Sequence, residues 1–364
     1  MEKNKIALVT YSLSSGGLER VVANSTFMFE EMGYDVHLYV LESKVDYPFT
    51  GKLHQYNIDQ LGFLSKVKAY LSIKKSIKKN KINLILDHRY RLNWITEIMW
   101  QKLIYRKQNV FNHIHSSLIY SYLFNFDLLN RFLFKKRLFI CDSLGIERKV
   151  NREFPFLKTQ TIYNFTDFKA TEQSGLNLGN YILAIARMDH ENVKQIDVLL
   201  ECYAKSILPE KKIRLIILGD GVRLEEMKSF AKELKISELV DFKGFIPNPE
   251  NYLENALFTV LTSKYEGFGM VLIESLIMQT PVISFDCETG PNEIIINRFN
   301  GLLIENQNKD IMIQGMNELV FNEELYNFLK QNSLTSVDKF RMDSIKEKWE
   351  KLLVIHRKID PVIT

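Results

Sequence analysis

The segment EGFGMVLIE contains two glutamates, Glu266 and Glu274, that stand eight residues apart. If all the intervening residues were helical, the two carboxylates would lie about 12 Å apart, which is too far for them to share one bond. That separation suits carboxylates on either side of a diphosphate, one near a sugar and the other near a ribose. The alternative interpretation is a solvated glutamate in a turn, followed by an ordinary amphipathic helix.

The glycines of this segment indicate how a phosphate would be held. Gly267 and Gly269 permit a tight turn and a close approach of the backbone, and the pattern from Met270 to Met278 predicts a helix. The first N–H groups of a helix have no partner within it, so those near Met270 and Val271 would favour an anion.

Two cations and a second glycine turn occur elsewhere in the chain. Arg187 ends the apolar run YILAIA, and Lys194 follows it seven residues later. At the carboxyl end of a strand, these charges could neutralise a leaving diphosphate without a metal, although such residues are also common surface cations. Gly16 and Gly17 follow the first apolar run, which predicts either a phosphate-binding turn or merely a tight connection.

Short apolar runs that alternate with helical patterns must position these residues. Those of the first half cover residues 5–11, 36–41, 83–87, 110–115, 138–141 and 161–164. Those of the second half cover residues 181–186, 214–219, 240–245, 257–262, 281–286 and 301–305. This alternation predicts an α/β fold with two doubly wound parallel sheets. Ligands of such sheets bind beyond the carboxyl ends of the strands, so a cleft between two domains is expected.

A polar stretch with Gly and Ser, residues 167–179, separates the two series of strands. It predicts a domain of residues 1–168, a domain of residues 169–340 and a C-terminal helix within residues 341–364 that could cross back to the first domain. Helices are also predicted at residues 309–321, 323–337 and 344–357. The turn LGDG lacks the third glycine of a nicotinamide-binding fingerprint, so we interpret it as a sharp turn into the next helix.

The composition is that of a folded protein, with 46% hydrophobic and 25% charged residues in a chain of 364. The cysteines Cys141, Cys202 and Cys287 show neither metal-binding nor disulfide spacing, so buried thiols in a reducing compartment are expected. No apolar stretch is long enough to span a membrane, and the first residues predict a strand and not a signal peptide. The expected location is the cytoplasm.

Positive charge is concentrated in the first half of the chain. Residues 1–168 contain 25 Lys and Arg against 15 Asp and Glu, a net charge of +10, which leaves −6 for the remainder. This excess predicts an anionic partner such as membrane headgroups or a phosphorylated lipid, whereas no recognisable nucleic-acid module is present. Residues 65–81 are typical either of a membrane-surface helix or of a sheet-covering helix with a solvated lysine face, and the aromatic stretch 119–137 is interpreted as an interfacial lip.

The order of blocks in the second half resembles that of the family 4 retaining glycosyltransferases, which have the GT-B fold. The matching blocks are AIARMD, ILGDG, FKGFIP, SKYEGFGMVLIES, TPVISFD, TGPNEII and NGLLIE. In the first half, GGLERVV resembles the family's GGxER signature. The resemblance implies two Rossmann-like domains facing across a cleft. It also implies transfer of a hexose or N-acetylhexosamine from a nucleotide-diphosphate sugar, UDP in preference to GDP, to a saccharide acceptor.

Together with the basic first half, the resemblance implies a polyprenyl- or lipid-linked acceptor at the inner face of the membrane, in the assembly of a cell-surface glycan. No metal or other cofactor is implied, because no DxD-type motif stands in a suitable place. Two other functions fit the same residues: a sugar-nucleotide epimerase of this architecture, and a non-catalytic protein that binds a nucleotide sugar.

The resemblance further implies roles for individual residues. Those at the diphosphate would be Arg187, Lys194, Gly17, Met270 and Val271. Those at the donor sugar would be Glu266, Gly267, Phe268 and Gly269, with Glu274 at the ribose and Phe245 and Ile246 beside the base.

Two details of the site are less regular. His115 would lie at the reacting centre with Glu266, but His113 is two residues away on the same strand, and the choice between them stays open. The spacing between Arg187 and Lys194 is two residues longer than the family's usual spacing. Asp189, His190 or Glu191 could therefore enter the phosphate site.

Overall fold

The computed structural model describes residues 3–14, 16–166, 168 and 180–359. The chain divides into two compact units, a first unit of Met1–Phe165 with Met342–Thr364 and a second unit of Thr166–Arg341. Apart from Phe168, the predicted linker 167–179 lies outside the described residues.

The first unit is built on a sheet of seven parallel strands. They are β1 (Lys5–Thr10), β2 (Asp35–Val40), β3 (Lys52–Gln55), β4 (Leu84–Asp87), β5 (Asn109–Ile114), β6 (Leu138–Cys141) and β7 (Lys158–Thr161). Their order in the sheet is β3-β2-β1-β4-β5-β6-β7. The direction of winding reverses between β1 and β4, which is the switch point where doubly wound sheets bind ligands.

Five helices of the first unit connect these strands. They are α1 (Gly17–Glu31), α2 (Phe63–Lys79), α3 (Trp94–Ile98), α4 (Asp127–Phe134) and α5 (Leu144–Glu153). Short 3₁₀ turns occur at Ile58–Gln60 and Ile119–Ser121, and a π-helical turn at Met99–Ile104 continues α3. The central strands are buried on both faces, as parallel strands covered by helices require.

The second unit repeats this arrangement with six parallel strands. They are β8 (Tyr181–Ile185), β9 (Arg214–Leu218), β10 (Val240–Phe242), β11 (Thr259–Leu261), β12 (Val282–Phe285) and β13 (Gly301–Ile304), in the order β10-β9-β8-β11-β12-β13. Its helices are α6 (Ile196–Lys205), α7 (Leu224–Glu233), α8 (Glu250–Asn255), α9 (Met270–Ile277), α10 (Pro291–Ile294), α11 (Lys309–Phe321) and α12 (Glu323–Ser336). Two 3₁₀ turns lie at Ser237–Leu239 and Asp338–Phe340.

The last helix, α13 (Met342–Ile359), returns to the first unit. It buries Ile345, Trp349 and Leu353 in the core that surrounds β1 and β5. The indole of Trp349 packs edge-on against Phe29 of α1, with ring centroids 5.3 Å apart. Residues from the far end of the chain therefore complete the core of the first unit.

The predicted α/β fold with two parallel sheets is confirmed, and two edge strands differ from the prediction. Strand β3 was not predicted, and the strand expected at residues 161–164 lies earlier, at Lys158–Thr161. Both are short, largely polar and exposed on the sheet edges, so they lack the apolar runs by which buried strands are recognised. The three cysteines are buried free thiols, as expected. None of the helices in the described residues is long and apolar enough to cross a bilayer.

Candidate active site

The turn after β11 places Glu266 in the interior of the second unit. Its side chain is buried, with only 8% of its surface exposed. Lys194 Nζ lies 2.5 Å from Glu266 Oε1, and Ser263 Oγ donates to the same oxygen at 2.6 Å. The carboxylate is thus paired and held in a fixed direction, which excludes the alternative of a solvated glutamate in a turn.

The helix predicted after the glycines begins at Met270 and ends at Ile277, as α9. Its cap, Gly269, has a φ of 96°, in the left-handed region that a glycine adopts without strain. Because glycine has no side chain, the cap offers no acceptor to the first N–H groups of α9. These groups, at Met270 and Val271, are therefore suited to an anion. Glu274 lies one turn further along and is buried.

A segment after β12 packs against the backbone of the EGFG turn. The sequence did not predict this role. Thr289 Oγ1 donates to the backbone oxygen of Glu266. Gly290 has a φ of 96°, and a Cβ there would lie 2.2 Å from the carbonyl oxygen of Phe268. The block TGPNEII thus fixes the backbone on which Glu266 stands.

The two predicted cations of the second unit lie near each other and remain accessible. Arg187 exposes 67% of its side chain and Lys194 exposes 27%. Both line one recess together with Arg223, which the sequence did not single out and which pairs with Glu226 at 2.6 Å. Asp189 lies 3.6 Å from Arg187, so one of the three residues suspected of entering the phosphate site does contact this guanidinium.

The LGDG turn supports the backbone around Arg187. A Cβ on Gly219 would lie 2.0 Å from the carbonyl oxygen of Ala186, and one on Gly221 would lie 2.2 Å from that of Met188. Met188 also donates its N–H to Asp220 at 3.0 Å. The glycines are therefore needed for contact between two backbones on either side of Arg187, and the turn leads into α7 as interpreted from the sequence.

Phe245 and Ile246 follow β10 at the same edge of the sheet. The carbonyl of Gly244, just before them, accepts a hydrogen bond from the N–H of Gly219 at 2.7 Å. The structure thus brings the pair beside the LGDG turn, with Phe245 exposed and Ile246 partly buried. An exposed aromatic ring at this position is compatible with the predicted contact to a base.

The remaining predicted residues, Gly17 and His115, belong to the first unit. Gly17 is the first residue of α1, and a Cβ there would meet no atom within 4 Å. The space that an approaching ligand would need is thus present. The same helix start carries the acidic side chain of Glu19, which opposes an anion there.

Both ring nitrogens of His115 are bound to protein groups. Its Nδ1 lies 2.7 Å from Asp142 Oδ2, and its Nε2 lies 3.0 Å from Nδ1 of His88. Asn164 Nδ2 donates to the same Asp142 oxygen at 2.6 Å. The ring exposes 4% of its surface, so the direct role at the reacting centre stays a prediction that this arrangement does not favour.

His113 is also buried, beside the same group. Burial lowers the pKa of His113 and of His88 well below the usual value, and the neighbouring charges of His115 and Arg91 act in the same direction. Both rings are therefore neutral near pH 7. Neither His113 nor His115 presents an exposed nitrogen to a ligand.

A buried ion network lies at the end of β4, and the sequence did not predict it. Arg89 Nη2 lies 2.7 Å from Asp87 Oδ2 and 3.3 Å from Glu97 Oε2, and its guanidinium covers the ring of Trp100 at 3.9 Å. Burial raises the pKa of Glu97, against the attraction of Arg89. The signal in the sequence was DHRYR, because charges directly after a fully buried strand must find partners inside the protein.

Comparisons with known proteins agree with this geometry. Residues 168–335 match the family described as Glycosyl transferases group 1. The chain is 28% identical, over 94% of its length and 96% of the relative, to the N-acetylgalactosamine-N,N'-diacetylbacillosaminyl-diphospho-undecaprenol 4-alpha-N-acetylgalactosaminyltransferase of Campylobacter jejuni.

Solved structures share the fold along the whole chain. A sucrose-phosphate synthase from Thermosynechococcus elongatus has a TM-score of 0.82 at 17% identity, covering 98% of this chain and 100% of that one. S. aureus TarM, solved with fondaparinux, alpha-GlcNAc-glycerol and UDP, has a TM-score of 0.77 at 16% identity, covering 96% and 99%.

The fold and the comparisons together define the chain as a transferase enzyme, a glycosyltransferase of the GT-B fold. Residues 168–335 match the group 1 glycosyltransferase domain, and the whole chain is homologous to the undecaprenol-linked N-acetylgalactosaminyltransferase of Campylobacter jejuni.

Proposed function

We propose that the protein is a family 4 retaining glycosyltransferase that moves a hexose or N-acetylhexosamine from a UDP-sugar to a lipid-linked saccharide. The observation that carries this proposal is the pairing of Lys194 with the buried Glu266 at 2.5 Å, beside the start of α9. A cation, a fixed carboxylate and free helix N–H groups are thereby collected in one unit, and a nucleotide-diphosphate sugar needs these three features.

The proposed chemistry uses charge and position. Arg187, Lys194 and the N–H groups of Met270 and Val271 bind the diphosphate and stabilise its negative charge as it leaves. The bond between the anomeric carbon and the phosphate oxygen breaks, and the acceptor oxygen bonds to the same face. The acceptor proton passes to the departing phosphate oxygen. Two cations and a helix start provide the stabilisation, so no metal is required at the diphosphate.

The remaining residues of the second unit orient the donor. Glu266 faces the sugar with Gly267–Gly269 and stabilises positive charge at the anomeric carbon, while Glu274 binds the ribose hydroxyls. Phe245 and Ile246 lie beside the base. The choice of UDP is supported by the UDP in the TarM structure, and the choice of an N-acetylhexosamine by the name of the Campylobacter relative.

A lipid-linked acceptor is supported by an exposed apolar face on the first unit. We define this face, the apolar face, by the residues Leu92, Trp94, Ile95, Leu118, Tyr120, Phe126, Leu128 and Phe132, all of them exposed. The N–H of Arg91 donates to the carbonyl of Ser121 at 2.7 Å. This bond places the segment that carries Leu92, Trp94 and Ile95 beside the segment that carries Leu118 and Tyr120. Lys102, in the π-helical turn after α3, lies 4.0 Å from the ring of Phe132, which ties α4 to the same region.

The charges around the apolar face suit an anionic membrane surface. Lys102, Arg131, Lys135 and Lys136 are exposed on the segments that carry this face or next to them, and Leu128 exposes 83% of its surface. Apolar side chains ringed by cations are typical of proteins that dock on anionic headgroups. The undecaprenol acceptor in the name of the Campylobacter relative supports the same location, at the membrane.

The predicted membrane helix contributes in part. Ile73 and Ile77 of α2 are buried against the sheet, which agrees with the interpretation as a sheet-covering helix. Leu64, Val67 and Leu71 nevertheless form an exposed apolar stripe at helical spacing among the lysines. Helix α2 therefore both covers the sheet and offers a second, smaller contact to lipid.

The donor proposal is tested by thermal unfolding with UDP-GalNAc, UDP-GlcNAc, UDP-glucose, UDP-galactose and GDP-mannose. The matching donor stabilises the protein through mass action, and the protein slowly hydrolyses it to free sugar. Arg187→Ala removes both effects, whereas Lys264→Ala, an exposed lysine near the EGFG turn, retains them. Stabilisation that survives Arg187→Ala would refute the site. Recovery of an epimerised nucleotide sugar would favour the epimerase instead.

The membrane proposal is tested by flotation with liposomes that contain phosphatidylglycerol. The wild-type protein floats with the vesicles, and Leu128→Glu reduces the floating fraction. Phe321→Glu is the matched control, because Phe321 is 62% exposed and lies in the second unit. Equal flotation of both variants would contradict a role for the apolar face.

A further inference from the structure

Three histidine side chains meet where two neighbouring strands of the first unit end. His113 and His115 lie two residues apart at the end of β5, and His88 follows β4 directly. One ring nitrogen of each lies within 4.8 Å of the other two. Three imidazole nitrogens at these separations can close around a single metal ion.

We infer that His88, His113 and His115 form a binding site for a transition-metal ion of the Zn²⁺ class, which clamps the ends of β4 and β5 together. His88 Nδ1 and His115 Nε2 are 3.0 Å apart, close to the separation of about 3.4 Å between two nitrogen ligands of a tetrahedral Zn²⁺. The site lies wholly in the first unit and does not depend on the proposed transfer reaction.

An unpartnered nitrogen atom points to a ligand at this place. Nε2 of His113 is buried and has no hydrogen-bond partner among the described residues. The residue is 5% exposed, so bulk water does not reach it. Folded proteins leave few buried polar atoms without a partner, and a metal bound to His113 Nε2 gives this nitrogen one.

Asp142 provides the support that metal-binding histidines normally have. Its Oδ2 lies 2.7 Å from Nδ1 of His115 and also accepts from Asn164 at 2.6 Å. A carboxylate on Nδ1 leaves Nε2 of His115 as the ligand atom and fixes the direction of the ring. His115 is then a ligand of the buried ion, which agrees with the 4% exposure of its side chain.

The charge balance around the three rings permits a cation. The nearest positive side chain is that of Arg91, which donates to the backbone oxygen of His113 at 3.4 Å. Its charge is already compensated, because Asp87 and Glu97 lie 3.5 and 3.6 Å from it. The carboxylate of Asp142 is therefore the charge that an incoming cation meets.

The donor atoms select the class of metal. Imidazole nitrogens suit Zn²⁺, Co²⁺, Ni²⁺ and Cu²⁺, whereas Mg²⁺ and Ca²⁺ prefer oxygen ligands. Neutral rings are the form that binds a metal.

The test uses the full chain without an affinity tag, stripped with EDTA and titrated with Co²⁺, followed by displacement with Zn²⁺. We expect one equivalent of Co²⁺ with the visible absorption of a tetrahedral site, and a higher unfolding temperature with Zn²⁺ but not with Mg²⁺. His113→Asn should weaken the affinity by more than about 100-fold. Asp142→Asn should weaken it by about 10- to 100-fold, the usual effect of losing a supporting carboxylate.

The chain contains a matched control for these variants. His37 and His54 also lie 3.0 Å apart beside a carboxylate, Asp35, but the three-imidazole group does not include them. His54→Asn should therefore leave the Co²⁺ affinity unchanged. Less than one-tenth of an equivalent bound to the wild-type protein would overturn the inference even if a variant failed to fold. An equal loss in His54→Asn would overturn it as well.

Discussion

The two units share one order of their first six strands, and the charged residues at the ends of these strands differ in burial. After β4 in the first unit, Arg89 is 1% exposed and is surrounded by acidic partners. After β8 in the second unit, Arg187 exposes 67% of its side chain and has one distant partner, Asp189. The same fold thus uses strand-end cations either to hold its own structure or to meet a ligand.

The difference has an energetic basis. A buried charge loses its hydration, so it is tolerated only with partners, and removing one partner leaves the other charge stranded. An exposed cation keeps its hydration and adds little to stability. The second unit therefore has accessible cations that can neutralise a diphosphate, whereas Arg89 of the first unit is buried and stabilises the fold.

The strongest test of this contrast is Arg89→Ala. The substitution removes the closer of the two cations that Asp87 and Glu97 share with Arg91, so we expect a loss of about 3–5 kcal/mol in the free energy of unfolding. All three tryptophans, Trp94, Trp100 and Trp349, belong to the first unit, so their fluorescence in a urea titration reports on this unit. Arg187→Ala should change stability by less than about 0.5 kcal/mol. Similar losses in the free energy of unfolding of both variants would contradict the proposed difference between the two units.

The second prediction concerns the ligand-facing charges. Lys194→Ala should lower the rate of UDP release from the matching donor by about 10²- to 10³-fold, because one stabilising donor to the leaving group is lost. Lys264→Ala, an exposed lysine near the same turn, should retain the wild-type rate. Rates of Lys194→Ala and Lys264→Ala within about threefold of each other would show that Lys194 does not stabilise the diphosphate.

The third prediction uses pH, because the histidines are unevenly distributed. Burial lowers the pKa of His88 and His113 well below its usual value, so the folded first unit keeps both rings neutral. The unfolded chain protonates them near pH 6.5. Unfolding therefore takes up protons below that pH, and stability falls as the pH is lowered from about 7 to 5. The slope is at most about 1.4 kcal/mol per pH unit for each ring.

Burial acts in the same direction on the pKa of His37 and of His54, so these rings add to the slope. The second unit has one histidine, the exposed His190, and should show little of this dependence. Urea titrations at pH 7.5, 6.5 and 5.5 measure the effect by tryptophan fluorescence. His113→Asn should flatten the curve, and an unchanged slope would count against a neutral, buried His113.

The smallest expected effects compare one glycine from each unit. Gly17→Ala meets no atom within 4 Å, so stability should change by less than about 1 kcal/mol. Gly290→Ala forces a left-handed residue against the carbonyl of Phe268 and should cost about 1–3 kcal/mol. Thermal unfolding of the two variants measures both. If Gly17→Ala is neutral in stability but raises the KM for the donor, close approach of a ligand to α1 is supported.

Features that depend on residues close together in the sequence could be predicted from it. The helix bounds Lys309–Phe321 and the start of α9 at Met270 were predicted correctly, because apolar periodicity and glycines mark them locally. The edge strand Lys52–Gln55 was missed, because its residues are polar and it is recognised only through its pairing with β2.

The charged networks required the folded structure. Arg89 and Glu97 are eight residues apart, and Lys194 and Glu266 are 72 apart, so no local pattern predicts either contact. The two glutamates of EGFGMVLIE could be recognised as a pair, but the burial of Glu266 could not. The partners of His115 could not be predicted either, because His88 follows β4 and Asp142 follows β6.

Helix α13 has a consequence for biosynthesis. A ribosome completes all the strands of the first unit before the second unit exists, yet Trp349 and Leu353 emerge only after the second unit has been made. Until then, the rings of Phe29 and Phe111 that pack against Trp349 lack their cover. The first unit to be synthesised is therefore the last to complete its core, and its nascent form leaves apolar side chains exposed.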